Sequence, residues 1–257
     1  MAVSLRSVAR RLLGVRRTPT YYLPWLTRPG LECVLLLNNI EARFKAGYTR
    51  GPFPIAVVQY DADGAAVRRH AVELADPTAS VELRLEATSA GVGFVTVAGD
   101  RLHSDLYVTL SDGDFYTATH GRHEFVEHYP RRSRLLLRAL GLALALARWT
   151  IPAFTRDQYV YLGRESCSHL LLMNLSNVTN RIRVSANVGG LPTRSRLVAL
   201  RPLGSRLLDV TDLAPAGASA DTAVCRLRLQ GNAWFNVYLV GTGTHDLAGP
   251  LSLMHVK

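Results

Sequence analysis

The sequence predicts an all-β protein built as two tandem antiparallel β-sandwich domains joined by an amphipathic helix. Three observations carry this. Short apolar or alternating segments recur between turn residues in both halves of the 257-residue chain. Similar residue groups return after about 135 positions. A single acid-free, leucine-rich segment with helical periodicity separates the two sets. The predicted boundaries are a basic helix over 1–20, a first sandwich over 21–127, a basic helical linker over 128–156 and a second sandwich over 157–257.

In the first half, Val34–Leu37, Ile55–Tyr60, Val67–Leu74, Val81–Leu85, Val92–Val97 and Leu106–Leu110 read as strands. Asp61-Ala62-Asp63-Gly64 suits a tight hairpin, because glycine accepts the positive φ such turns require. In the second half the strands are Leu170–Met173, Arg181–Ala186, Arg196–Leu200, Arg206–Val210, Val224–Leu229 and Trp234–Val240. Arg-Ile-Arg-Val-Ser at 181–185 and Cys-Arg-Leu-Arg-Leu at 225–229 alternate cleanly, so each should bury one face and wet the other. The internal similarity rests on three anchors. Leu35-Leu36-Leu37-Asn38-Asn39 returns at 171–175, Tyr107 at Tyr238, and Thr119-His120 at Met254-His255.

Charge is concentrated in the joining segments. The chain carries 30 Lys+Arg against 20 Asp+Glu. Residues 1–31 hold six arginines and no acid, and residues 128–156 hold six more and no acid. Without these twelve the remainder is nearly neutral, which argues for surface docking and against sequence-specific nucleic-acid binding, where basic residues stud the folded face. At 100° per residue, Leu5, Val8, Leu12 and Val15 form one stripe, with Arg6, Arg10 and Arg17 opposite. In the second segment Arg131, Arg134 and Arg138 share a side, and Leu136, Leu140 and Leu144 lie across from them, before Pro152 stops the helix. An interfacial helix would bury such leucines among lipid headgroups, with Leu5, Arg6, Val8, Arg10, Arg11, Leu12, Arg16, Arg17, Arg131, Arg134 and Arg138 as contacts to an anionic membrane surface or a membrane-protein partner. The alternative is a linker helix that packs its leucines on neighbouring domains. Neither segment holds the ~18 uncharged apolar residues of a spanning helix.

The order of segments in residues 168–244, from Met173-Asn174 through Ile182–Ala186, Leu200-Arg201-Pro202-Leu203-Gly204 and Asp209-Val210-Thr211-Asp212-Leu213 to Val240, resembles the small β-sandwich of sensory rhodopsin transducer-like proteins. These are soluble bacterial partners of a membrane photoreceptor. The resemblance implies a fold and an accessory binding role, and it transfers no site residue. That family is not duplicated, which sets this chain apart from it.

The remaining candidates for chemistry are few. His120, His123, Glu124, Glu127 and His128 form the densest polar cluster and suggest a metal-dependent enzyme as one alternative, although HExxH spacing is missing. Trp25, Tyr107, His120, Trp234, Tyr238 and His255 are candidate ligand contacts, and the aromatics suggest a carbohydrate-binding module or an accessory of polysaccharide assembly. Asp61-Ala62-Asp63-Gly64 lacks the later ligands of a calcium loop. Cys33, Cys167 and Cys225 make no CxxC pair and point to a reducing compartment. Residues 1–17 also look like a mitochondrial transit peptide, which ranks below a bacterial cytoplasmic origin peripheral to the inner membrane. The expectation is a non-enzymatic binding protein with no catalytic residue, no metal and no cofactor.

Overall fold

The computed structural model describes residues 11–47, 50–86, 91–146, 151–162, 167–188, 193–213, 223–243, 247 and 249–255. The first half supplies β1 (Arg16–Thr27), β2 (Glu32–Asn38), β3 (Phe53–Tyr60), β4 (Ala66–Leu74), β5 (Ser80–Arg84), β6 (Gly91–Gly99), β7 (Tyr107–Ser111), β8 (Tyr116–His120) and β9 (Arg122–His128). Helix α1 (Arg131–Leu146) follows. The second half supplies β10 (Phe154–Leu162), β11 (Cys167–Asn174), β12 (Asn180–Asn187), β13 (Arg194–Leu200), β14 (Ser205–Asp209), β15 (Ala223–Gly231), β16 (Phe235–Thr242) and β17 (Leu251–His255). The protein is all-β in class, and no helix among the described residues is long and apolar enough to cross a membrane.

These strands form four antiparallel sheets, two from each half. The first half gives the orders β4-β3-β6-β1-β9 and β5-β2-β7-β8; the second gives β10-β15-β12-β13 and β14-β11-β16-β17. If β1 is matched to β10 and each following strand to its successor through β8 and β17, the two halves have the same neighbours throughout. β9 is the one extra strand, added at the β1 edge. The registers agree as well. Tyr107 pairs with His120 and with Leu36, while Tyr238 pairs with His255 and with Leu171. The leucine anchor therefore aligns Leu36 with Leu171, an offset of 135. The expected match of Leu35 to Leu171 is one residue out, and in a strand one residue exchanges the two faces.

The faces explain why some strands alternate and others do not. In β12 and β15, Ile182, Val184, Leu227 and Leu229 are fully buried and the intervening residues are not. Leu170–Met173 is buried at every position because its sheet is covered on both sides. Leu170, Leu172, Phe235 and Val237 join the core shared with the β12 and β15 sheet. Leu171, Met173, Tyr238, Val240, Leu251 and Leu253 join the core of the first half. The two halves are also tied by backbone hydrogen bonds. Ser205 N donates to Ala62 O (3.0 Å), Glu127 N to Leu175 O (2.9 Å), and Asn177 N to Glu127 O (3.2 Å).

Two boundaries differ from expectation. The helix expected over 1–20 does not reach its predicted end: Arg16–Thr27 is strand, because Tyr21-Tyr22-Leu23 and Trp25-Leu26 form a run buried on both faces between β6 and β9. Within the described residues, helix persists only at 11–12. The expected linker end at 156 is also late, since β10 begins at Phe154.

Candidate functional site

The fold brings the two basic segments together. Ser133 Oγ, near the start of α1, donates to Leu13 O (2.7 Å). Leu13, Val15 and Leu137 pack on a small buried cluster of Tyr129, Val178 and Ala233. Glu127, fully buried, anchors this junction: it accepts from Arg17 Nη2 (3.2 Å) and from Tyr129 Oη (3.0 Å). Asn177 holds Tyr129 at both backbone atoms, accepting from its N at 2.7 Å and donating to its O at 3.2 Å. The junction is thus a fixed platform.

From this platform α1 projects. Among its described side chains the buried or half-buried positions are Ser133, Leu137 and Gly141, spaced i, i+4, i+8 and so on one line of the helix. On one flank of that line stand Arg134 and Arg138; on the other stand Leu136 and Leu140. Leu135 follows on the arginine flank, next to Arg131 and Arg138 around the helix. Leu135, Leu136 and Leu140 are 58%, 60% and 40% exposed, and Leu12, which precedes the Leu13 bonded to Ser133, is 82% exposed. Leu135, Leu136 and Leu140 are therefore not covered by neighbouring domains, as the linker reading required, whereas Leu137 packs on the body and the side chain of Leu144 lies outside those described. Arg131, Arg132, Arg134 and Arg138 are exposed, and none has a carboxylate partner among the described residues. Nine other arginines do have one within 4 Å, which makes the helix a place where positive charge is left unbalanced.

The outer face of the β10-β15-β12-β13 sheet extends this field. Alternation puts Arg181, Arg183, Arg226 and Arg228 on the side opposite the buried Ile182, Val184, Leu227 and Leu229. A side-chain carbon placed on Gly141 would lie 3.8 Å from Arg181 Nε, so α1 runs over one end of this face. Asp157 binds Arg226 and Arg228, both at 3.1 Å, and the Arg226 hydrogen bond above all lowers its pKa. The sequence reading missed these four arginines because it sought runs of charge. The signal was present in the R-x-R alternation of 181–183 and 226–228.

The other expected contacts fare differently. Leu5, Arg6, Val8 and Arg10 lie outside the described residues. Arg11 and Leu12 are exposed, and Arg16 is exposed opposite His128 in the β1–β9 ladder. Arg17, although exposed, is engaged by Glu127 and by the Phe125 ring 3.7 Å beneath its guanidinium. Arg28, half-buried, is engaged as well: it donates to Leu247 O, to Gly249 O (2.8 Å) and to Asp112 (3.1 Å), clamping the two halves.

The aromatic candidates form no exposed platform. Trp25 is buried and donates its indole N–H to Tyr60 O at 2.8 Å. Trp234 stacks on Phe125 (4.9 Å) and meets Phe154 edge-on (5.2 Å), with Arg156 over its ring. The structure does gather His120, Tyr238 and His255. Tyr238 Oη donates to His120 O (3.1 Å), and the two imidazoles are 5.4 Å apart. This contact stitches β8 to β17 across the seam between halves, with Tyr107, 40% exposed, beside it. Of the histidine cluster, His123 and His128 sit five residues apart on one strand. They face opposite sides at roughly 16 Å separation, which is incompatible with a shared metal. His123 instead packs against Tyr21 at 4.6 Å.

Comparison with protein-family models finds no match, and comparison with curated proteins finds none of significance.

Proposed function

We propose that this is a non-enzymatic accessory protein that docks on an anionic membrane surface through α1 and the chain around Arg11 and Leu12. In this reading the body consists of two tandem β-sandwiches that arose by duplication, as the matched strand orders and the Tyr107–His120 and Tyr238–His255 pairs suggest. The observation that carries the functional reading is the surface of α1, where exposed Leu135, Leu136 and Leu140 stand among four arginines with no carboxylate partner among the described residues.

The magnitudes are adequate. Each basic residue near an anionic leaflet contributes about 1 kcal/mol, so Arg131, Arg132, Arg134 and Arg138 together supply ~4 kcal/mol, a thousandfold preference over a neutral surface. Leucine insertion adds ~0.8 kcal/mol per buried methylene and does not depend on lipid charge. Charge over the rest of the chain fits one orientation. Residues 32–127 hold 14 acids and 8 bases, whereas 151–257 hold 11 bases and 6 acids. The second half would therefore face the leaflet and the first half would point away from it.

Flotation with vesicles tests this. Recovery should be high with 30% phosphatidylglycerol, low with pure phosphatidylcholine, and reduced by 0.5 M salt, since the contact is electrostatic. Changing all four α1 arginines to Gln should lower partitioning by a hundredfold or more. Equal recovery on neutral and anionic vesicles would count against the proposal.

A further inference from the structure

Beneath α1 lies an open-sided groove of about 510 Å³, walled by the helix on one side and by the turns at 177–179 and Pro202 on the other. The geometry points to this groove as the seat of one anionic phospholipid, taking its phosphate and the first carbons of its acyl chains. The inference rests on the membrane-docking reading and sharpens it from a general attraction to a stereospecific site.

Its walls divide by chemistry. Arg131, Arg134 and Arg138 line it from positions i, i+3 and i+7 of the helix, so three arginines border one space, and no carboxylate among the described residues lines it. Arginine forks bind phosphate oxygens in pairs, which a diffuse positive surface does not require. Leu135, Leu137, Val178 and Pro202 supply an apolar lining that free phosphate has no use for and a glycerolipid does. The exposed Leu135 and Leu136 continue this apolar surface outward, the direction in which acyl chains would leave.

The facing wall is fixed in advance. Asn174, fully buried, donates to Val178 O and to Arg201 O, both at 2.7 Å, and accepts from Ser176 Oγ at 2.7 Å. Leu203 N donates to Ser176 O at 2.9 Å, joining the two turns. Asn177 is engaged with Tyr129, which leaves the exposed Thr179 as the polar group of that wall free to meet a ligand. A preorganised wall lowers the ordering cost of binding. The volume falls within the range of small-ligand sites and suits a headgroup with several methylenes.

The test uses the full chain and dihexanoyl phosphatidic acid below its aggregation concentration, followed by calorimetry. Dihexanoyl phosphatidylcholine, inorganic phosphate and phosphatidylglycerol vesicles serve as separate arms. Saturable one-to-one binding of the phosphatidate is expected, at least tenfold tighter than either phosphatidylcholine or inorganic phosphate. The R134K/R138K variant keeps every charge and loses the forks, so it should bind phosphatidate tenfold more weakly. T179W, which fills the groove from the opposite wall and leaves the α1 arginines and leucines untouched, should bind phosphatidate as weakly while floating on vesicles like the unaltered protein. Phosphatidate and phosphatidylcholine binding alike, inorganic phosphate binding as tightly as the lipid, or both variants retaining full affinity would each overturn the proposal. If the unaltered protein floats on anionic vesicles but ignores the monomeric lipid, the seat is refuted and docking stands. If it does not float, both readings fall.

Discussion

Cys33 shows how a buried group contributes to the alkaline limit of this protein. Its thiol is 2% exposed, and burial pushes its pKa up to about 12 from an ordinary 9, against a smaller lowering by a backbone hydrogen bond from Leu26. The folded state therefore holds this proton where the unfolded chain releases it, and stability present below pH 9 is lost as pH rises from 9 towards 12. Burial raises the pKa of Tyr22 and Tyr238 in the same direction. Urea midpoints at pH 7, 9 and 10.5 should fall steeply only above 9, and C33A should flatten part of that fall. Gly93 is the second residue with a sharp consequence. A side-chain carbon there would lie 2.1 Å from Tyr60 O and 2.5 Å from Trp25 Nε1, the two atoms of a buried hydrogen bond. We expect G93A to lose about 3 kcal/mol or more in urea unfolding, as backbone overpacking with a broken buried bond does.

At the scale of elements, α1 is a helix that its own sequence must hold together, because only Ser133, Leu137 and Gly141 among its described side chains are even partly buried. Gly141 is its weak point. The nearest atom to an added side-chain carbon is Arg181 Nε at 3.8 Å, an ordinary contact, so nothing opposes a larger residue. G141A should stabilise the helix by roughly 0.5–1 kcal/mol, visible as a higher melting temperature with unchanged vesicle binding. Strands with one wet face were legible in the sequence, since Arg181–Ala186 and Val224–Leu229 alternate with the pleat. β1 was not, because Tyr21–Leu26 is apolar at nearly every position and carries Pro24, and because the arginines before it extend a helical stripe. β8 and β9 were missed for the opposite reason: Tyr-Thr-Ala-Thr-His and Arg-His-Glu-Phe-Val are too polar to announce burial, which comes from their partners β7 and β1. The helix, its arginines and its leucines were legible. That Leu135, Leu136 and Leu140 stay uncovered was not, because a period of 3.6 residues reports a stripe and not what lies against it.

At the scale of the whole molecule, residues of both halves share one core. The sheet that carries Leu171, Met173 and Tyr238 belongs to the second half by chain and to both cores by packing. Thermal unfolding should therefore give one transition by circular dichroism and by tryptophan fluorescence alike. Residues 151–257 expressed alone should aggregate, since Leu171, Met173, Tyr238, Val240, Leu251 and Leu253 would form an exposed apolar face. Two transitions, or a monomeric second half, would show that the shared core contributes little. The central claim is that α1 is the surface that meets the membrane, and amide hydrogen exchange in the presence of vesicles tests it most directly. Exchange across residues 131–146 should slow with phosphatidylglycerol vesicles, should not change with phosphatidylcholine vesicles, and should leave β4, on the acidic half, unaffected. Vesicle-bound protein in which α1 exchanges as fast as in solution, or in which protection falls on residues 66–74 instead, would contradict the account.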